Sequence, residues 1–143
     1  MSTPSPGTHA ESGSLVESSP ALAVLRPLVL KCTAGAAEPE RCTQAFTVAA
    51  TALAAGARVS LWLTGDAVWF AVPGYAEQLE LPHSAPLSEL RDAVLSAGRL
   101  TVCTQCAARR ELGPDQLIDG ALIAGSASFV AEVLAPDVQA LVY

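Results

Sequence analysis

Charge is scarce in this chain, and positive charge is scarcer still. Only 15% of the 143 residues are charged, with eight Lys and Arg against fourteen Asp and Glu and a formal net charge of −6. The cations do not form a stripe. Phosphate backbones are bound through clustered cations, and anionic lipid through polybasic segments. The sequence therefore argues against nucleic-acid and membrane partners, and its acidity reads as ordinary solubility. No apolar run reaches the length of a bilayer span. The opening Met1-Ser2-Thr3-Pro4-Ser5-Pro6-Gly7 has neither the basic start nor the apolar stretch of a secretory signal. A cytoplasmic location is expected, with the four cysteines reduced rather than paired as a disulfide framework. P-loop, G-x-G-x-x-G and paired glycosidase carboxylates are also missing, and the glycines from Gly120 to Ser126 are too widely spaced to cradle a phosphate. The sequence thus implies no cofactor.

Apolar residues, by contrast, make up 51% of the chain, much of it Ala, Leu and Val. A chain this long forms one domain and buries a real core without metal or disulfide staples. So much apolar surface with so little charge predicts that a partner covers part of it, most simply a second copy.

Residues 1–22 are rich in Ser, Pro, Gly and Thr. They bury too little to offset the entropy of ordering and are expected to be a disordered tail. Residues 23–143 are expected to be the folded domain. Val24–Lys31 reads as a first strand, though Pro27 cannot donate to a ladder and sets an effective start. Pro39 suits a helix N-terminus. Phe46, Ala49, Ala50 and Leu53 follow at helical spacing, and Gly56 closes the helix. Arg58–Leu63 is a second strand. Asp66 in Thr64-Gly65-Asp66 is read as the N-cap of a short helix over Ala67–Val72. Tyr75–Pro86 is irregular. Leu87, Leu90, Val94 and Ala97 mark another helix. Leu100–Cys103 is a third strand, with Thr104 as cap of a helix through Cys106 to Arg110. Ala121–Ala124 is a fourth strand. A helix carrying Phe129, Val130, Val133 and Leu134 follows, then a fifth strand over Val138–Tyr143.

Apolar strands alternating with helices predict an α/β fold, a three-layer α/β/α sandwich on a five-stranded parallel sheet. Ligands of such sheets bind beyond the carboxyl ends of the strands, near a topological switch point. Cys32, Thr64-Gly65-Asp66 and the Cys103–Cys106 stretch all fall at those ends.

Val102-Cys103-Thr104-Gln105-Cys106-Ala107-Ala108-Arg109-Arg110 is the strongest chemical feature. Cys106 is expected in the first turn of a helix, where free N–H groups and the helix dipole favour a thiolate. Partial exposure is expected for Cys106, and deeper burial for Cys103 at the strand end. Both could instead be small buried hydrophobes, but two cysteines at this spacing at the active end of a parallel sheet favour function. A thioredoxin-like reading of Cys-x-x-Cys conflicts with its place after the third strand. Zinc would need Cys32, Cys42 or His83 to complete half a site. No second paired motif exists, so no metal is expected. Cys32 is read as a core residue that could also face the cleft, and Cys42 as structural. His83 is read as a loop histidine that could serve as a base.

Strand followed by Cys-Thr-Gln-Cys-Ala-Ala-Arg-Arg resembles the cysteine loop of the DsrE/DsrF-like family, including its TusD-like and YchN-like members. Glu40-Arg41 with the helix ending Ala55-Gly56 resembles that family's first helix. Leu61-Trp62-Leu63-Thr64-Gly65-Asp66-Ala67-Val68 resembles its second strand and turn. The resemblance runs from about residue 24 to the end. It implies a parallel α/β sandwich, often a trimer or hexamer, in which a cysteine accepts sulfur as a persulfide and passes it between protein donor and acceptor. Cys103 resembles the cysteine of TusD-like members, and Cys106 the second cysteine of YchN-like members. Glu111-Leu112 stands where the family commonly has glycine. The expected function is a sulfur carrier or sulfurtransferase-like protein with the persulfide on Cys106 or Cys103. The alternatives are a non-catalytic oligomeric binding protein and a Cys103/Cys106 dithiol redox switch.

Overall fold

Five short strands, all parallel, set the frame. The computed structural model describes residues 1–5, 7 and 24–143. The tail expected over residues 1–22 lies mostly outside these. The strands are β1 (Leu28–Cys32), β2 (Val59–Leu63), β3 (Arg99–Cys103), β4 (Leu122–Ala124) and β5 (Gln139–Val142), in the order β4-β3-β2-β1-β5. β1 begins after Pro27, where the missing N–H ceases to matter, and not at Val24. The helices are α1 (Pro39–Ala54), α2 (Leu87–Ala97), α3 (Thr104–Arg109) and α4 (Ser126–Val133). Short 3₁₀ segments cover Gly65–Ala71, Ala76–Gln78 and Pro114–Gln116.

The register aligns Lys31 with Trp62, and Trp62 with Thr101. Side chains alternate across a strand, so the sheet has two distinct faces. Leu30, Cys32, Leu61, Leu63, Leu100 and Val102 point to the first. There they join Phe46 of α1, Val94 of α2 and Phe70 in one buried cluster. Phe46 and Phe70 meet edge to face, with centroids 5.8 Å apart. Val29, Lys31, Ser60, Trp62, Thr101 and Cys103 alternate to the second face. α4 covers part of that face through Phe129, whose ring meets Trp62 edge-on at 5.4 Å. Glu132, one turn later, accepts hydrogen bonds from Ser60 Oγ at 2.8 Å and Trp62 Nε1 at 2.7 Å. Helices thus lie on both faces, but the first face is apolar while the second carries polar groups.

The helix expected over Ala67–Val72 is the 3₁₀ segment Gly65–Ala71, and Thr64, not Asp66, takes its N-cap position. Gly65 has φ +55°, a left-handed conformation that glycine adopts without penalty. Gly35 lets the loop after β1 approach the loop after β2, since a Cβ there would lie 2.6 Å from Asp66 Cβ. On α2, buried Arg91 bonds Glu77 through both terminal nitrogens, at 2.7 and 3.3 Å. That guanidinium holds the Glu77 carboxyl below its usual range.

Candidate functional site

Cys103 is the last residue of β3 and also the N-cap of α3, with extended backbone at φ −63° and ψ 126°. Thr104, expected as the cap, is the first helical residue instead. The cap side chain is the one that turns back to the free N–H groups of the first turn. Here that side chain is a thiol. Partial burial works against ionising it, but several groups outweigh that penalty. The first-turn N–H groups of Cys106 and Gln105, the Cys106 thiol and the positive charge of Lys31 all favour the charged form of the sulfur, although no N–H makes a cap hydrogen bond to it. The Cys103 pKa is consequently held below that of an ordinary thiol. In its neutral form the thiol donates to Gln105 Oε1 at 3.4 Å.

Cys106 lies in the first turn of α3, as expected from the sequence. The expected burial order is reversed. Cys106 is 8% exposed and belongs to the first-face cluster, whereas Cys103 is partly exposed. On α3 the third helical position turns inward under the sheet's end, beside Ala107.

The remaining residues singled out from the sequence separate. Cys32 is fully buried on the first face, opposite the side to which Cys103 points, and donates to Ala34 O at 3.4 Å. Burial pushes its thiol up to about 12. Cys42 is buried in α1, and desolvation raises its pKa too. His83 adopts φ +60° in its loop and lines a cavity of about 460 Å³ with Glu40, Thr43 and Gln44. No cysteine lines that cavity. Asp66 does not cap a helix. Its carboxylate meets Arg110 Nη2 at 2.8 Å, and Arg110 Nη1 donates to Cys106 O at 3.0 Å. The arginine at the end of α3 therefore ties the cysteine loop to the loop after β2. The strand order reverses between β1 and β5, so the cysteine loop lies two strands away from the switch point. At that point Thr33 N and Oγ1 donate to Tyr143 O.

Sequence reasoning passed over Lys31. Its signal was a lysine in the middle of the otherwise apolar Leu-Val-Leu-Lys-Cys strand. Among the described residues, no cluster of His, Cys, Asp or Glu is placed to hold a metal ion, and no helix is long and apolar enough to cross a membrane.

Together these features define a parallel α/β domain with a Cys-x-x-Cys loop leaving its third strand. The chain belongs to the DsrE/DsrF-like family, matching it over residues 28–137. Among solved structures it is similar to the YchN protein of E. coli, with a TM-score of 0.70 at 16% identity, covering 83% of this chain and 100% of that one. It is also similar to a protein of unknown function from Methanobacterium thermoautotrophicum, with a TM-score of 0.56 at 12% identity, covering 83% and 99%. These likenesses agree on the five-stranded α/β fold. No curated protein matches the sequence.

Proposed function

We propose that the protein is a cysteine-based sulfur carrier with Cys103 as the sulfur-bearing residue. Membership of the DsrE/DsrF-like family supports a sulfur-relay type of role in general. The observation that carries the finer reading is the placement of Cys103: partly exposed, at the N-cap position of α3, where the nearby N–H groups of Cys106 and Gln105 favour its thiolate. The Cys103 thiolate attacks the outer sulfur of a donor persulfide. A new S–S bond forms to Cys103, the donor's S–S bond breaks, and the donor leaves as a thiolate. An acceptor thiolate then takes the same outer sulfur and returns Cys103 as thiolate. One neutral sulfur atom moves in each step, so no outside oxidant is required. The donor and acceptor are proteins in this reading, and the setting is the reducing cytoplasm.

Incubation with a cysteine desulfurase and cysteine, followed by peptide mass spectrometry, tests this. The Cys103 peptide is expected to gain one sulfur atom. A gain confined to the Cys106 peptide, or to neither, would sink the assignment.

A second reading rests on the nearness of the Cys106 thiol to the Cys103 sulfur, whose charged form it favours. Such contact also suits a dithiol switch. Cys106 would attack the inner sulfur of a Cys103 persulfide, forming the Cys103–Cys106 disulfide and releasing hydrosulfide. A disulfide peptide in the same experiment marks that outcome.

Self-association, as a trimer or hexamer, belongs to the same proposal. The outer side of α4 exposes Val130 and Leu134, and the edge strands expose Leu122 and Val142. Burying that much apolar surface is favourable. Light scattering is expected to give an oligomer at micromolar concentration, and a monomer would count against this.

A further inference from the structure

We propose that Lys31 is the electrostatic partner of the sulfur anion carried at Cys103, held toward it by the ring of Phe129. The inference rests on the reading of Cys103 as the sulfur-bearing residue.

Lys31 lies in β1, which is flanked by β2 and β5, so its side chain leaves from the interior of the sheet. Its register partner is Trp62, whose own partner is Thr101. Cys103 stands two residues beyond Thr101 in β3 and therefore alternates to the same face as Lys31. The lysine is half-buried, and none of the ion pairs among the described residues includes it. A charge drawn out of water without a counter-ion is costly. Part of the cost is met by Phe129, since Nζ sits 4.0 Å over its ring centroid. The same ring is braced against Trp62, and Trp62 is fixed by Glu132. The lysine head is thus placed by a stack of aromatics and left without a carboxylate. A thiolate or persulfide on the same face supplies the missing negative charge, and the lysine charge already lowers the Cys103 pKa.

The other ionisable groups on the surrounding elements have partners or point elsewhere. Asp66 and Arg110 pair with each other. Glu132 takes Ser60 and Trp62, with Arg99 at 3.6 Å. Arg109 is exposed on α3, and Cys106 is buried beneath the cap. Thr101 Oγ1, buried and without a hydrogen-bond partner, lies on the same face as the lysine and the thiol.

The test is peptide-resolved alkylation of Cys103 against pH in the full chain, comparing wild type, Lys31→Met and Lys31→Arg. Met keeps the apolar stem and removes the charge, while Arg keeps the charge. Circular dichroism establishes that each variant is folded. For Lys31→Met the midpoint is expected to rise by about half a pH unit, roughly a threefold loss of labelling rate at neutral pH. Lys31→Arg is expected to stay near wild type. A low wild-type midpoint that is unchanged in Lys31→Met would overturn the inference and leave the sulfur-carrier reading standing. Equal shifts in both variants would mean a packing role and would also overturn it. A wild-type midpoint at the ordinary thiol value would remove the reading of Cys103 itself, and this inference with it.

Discussion

Cys103→Ser is expected to abolish rapid thiol labelling near neutral pH, while Cys106→Ser leaves most of it intact. The reason is the direction in which each group's surroundings act. The groups around the Cys103 sulfur favour its charged form, so its labelling curve is expected to reach half-maximum below the ordinary thiol pKa of 9.0. Cys32 and Cys42 are buried and shifted upward, so both remain protonated and shielded in that range. Serine at position 106 still donates a hydrogen bond, so that variant keeps a depressed midpoint. Cys106→Ala removes the donor and should move the midpoint upward. The linked stability follows the same sign. A thiol whose folded pKa is depressed stabilises the fold above the unfolded value, and that contribution disappears as pH falls through the folded value. Fast labelling that survives Cys103→Ser and vanishes in Cys106→Ser would return the reactive role to Cys106.

Phe46→Ala is expected to cost about 3–5 kcal/mol of unfolding free energy, the range for emptying a buried phenylalanine site. Phe46 is 0% exposed and stands edge-on to Phe70, between α1 and the 3₁₀ segment after β2. Loss of its ring removes contacts on several sides and leaves a cavity that the parallel strands cannot easily collapse into. Urea unfolding measures this as a lower midpoint with an unchanged slope. The labelling midpoint of Cys103 should hardly change in the folded variant, because Phe46 is not among the groups that act on its sulfur. A loss below about 1 kcal/mol would mean that the cluster repacks and is not the main source of stability.

Much of this architecture is legible in the chain. Helical spacing of Phe46, Ala49 and Leu53 marks α1, and continuous apolar runs mark strands buried on both sides. The Cys-x-x-Cys loop is also placed correctly at the end of β3. What failed was finer. The burial order of the two cysteines is reversed, and Cys103, not Thr104, stands at the N-cap position of α3, although threonine is a favoured cap by propensity. The backbone's exit from β3 sets the cap one residue earlier, so a thiol and not a hydroxyl stands at the N-cap position. Asp66 looked like a cap for the same local reason. Its partner, Arg110, is 44 positions away and invisible to local pattern. Lys31 needed the strand order itself. Only when β1, β2 and β3 lie side by side do Lys31 and Cys103 share a face.

The unequal faces of the sheet also bear on how such a protein can diverge. The first face is sealed by α1 and α2, and substitutions there lower stability directly. The second is covered only in part by an eight-residue helix and holds the lysine, the thiol and their neighbours. Since most substitutions are tolerated only while stability stays above a threshold, selection has more freedom on the second face. Descendants of this chain can exchange α4 and its contacts, and so acquire new chemistry or lose the old, while inheriting the same sealed half.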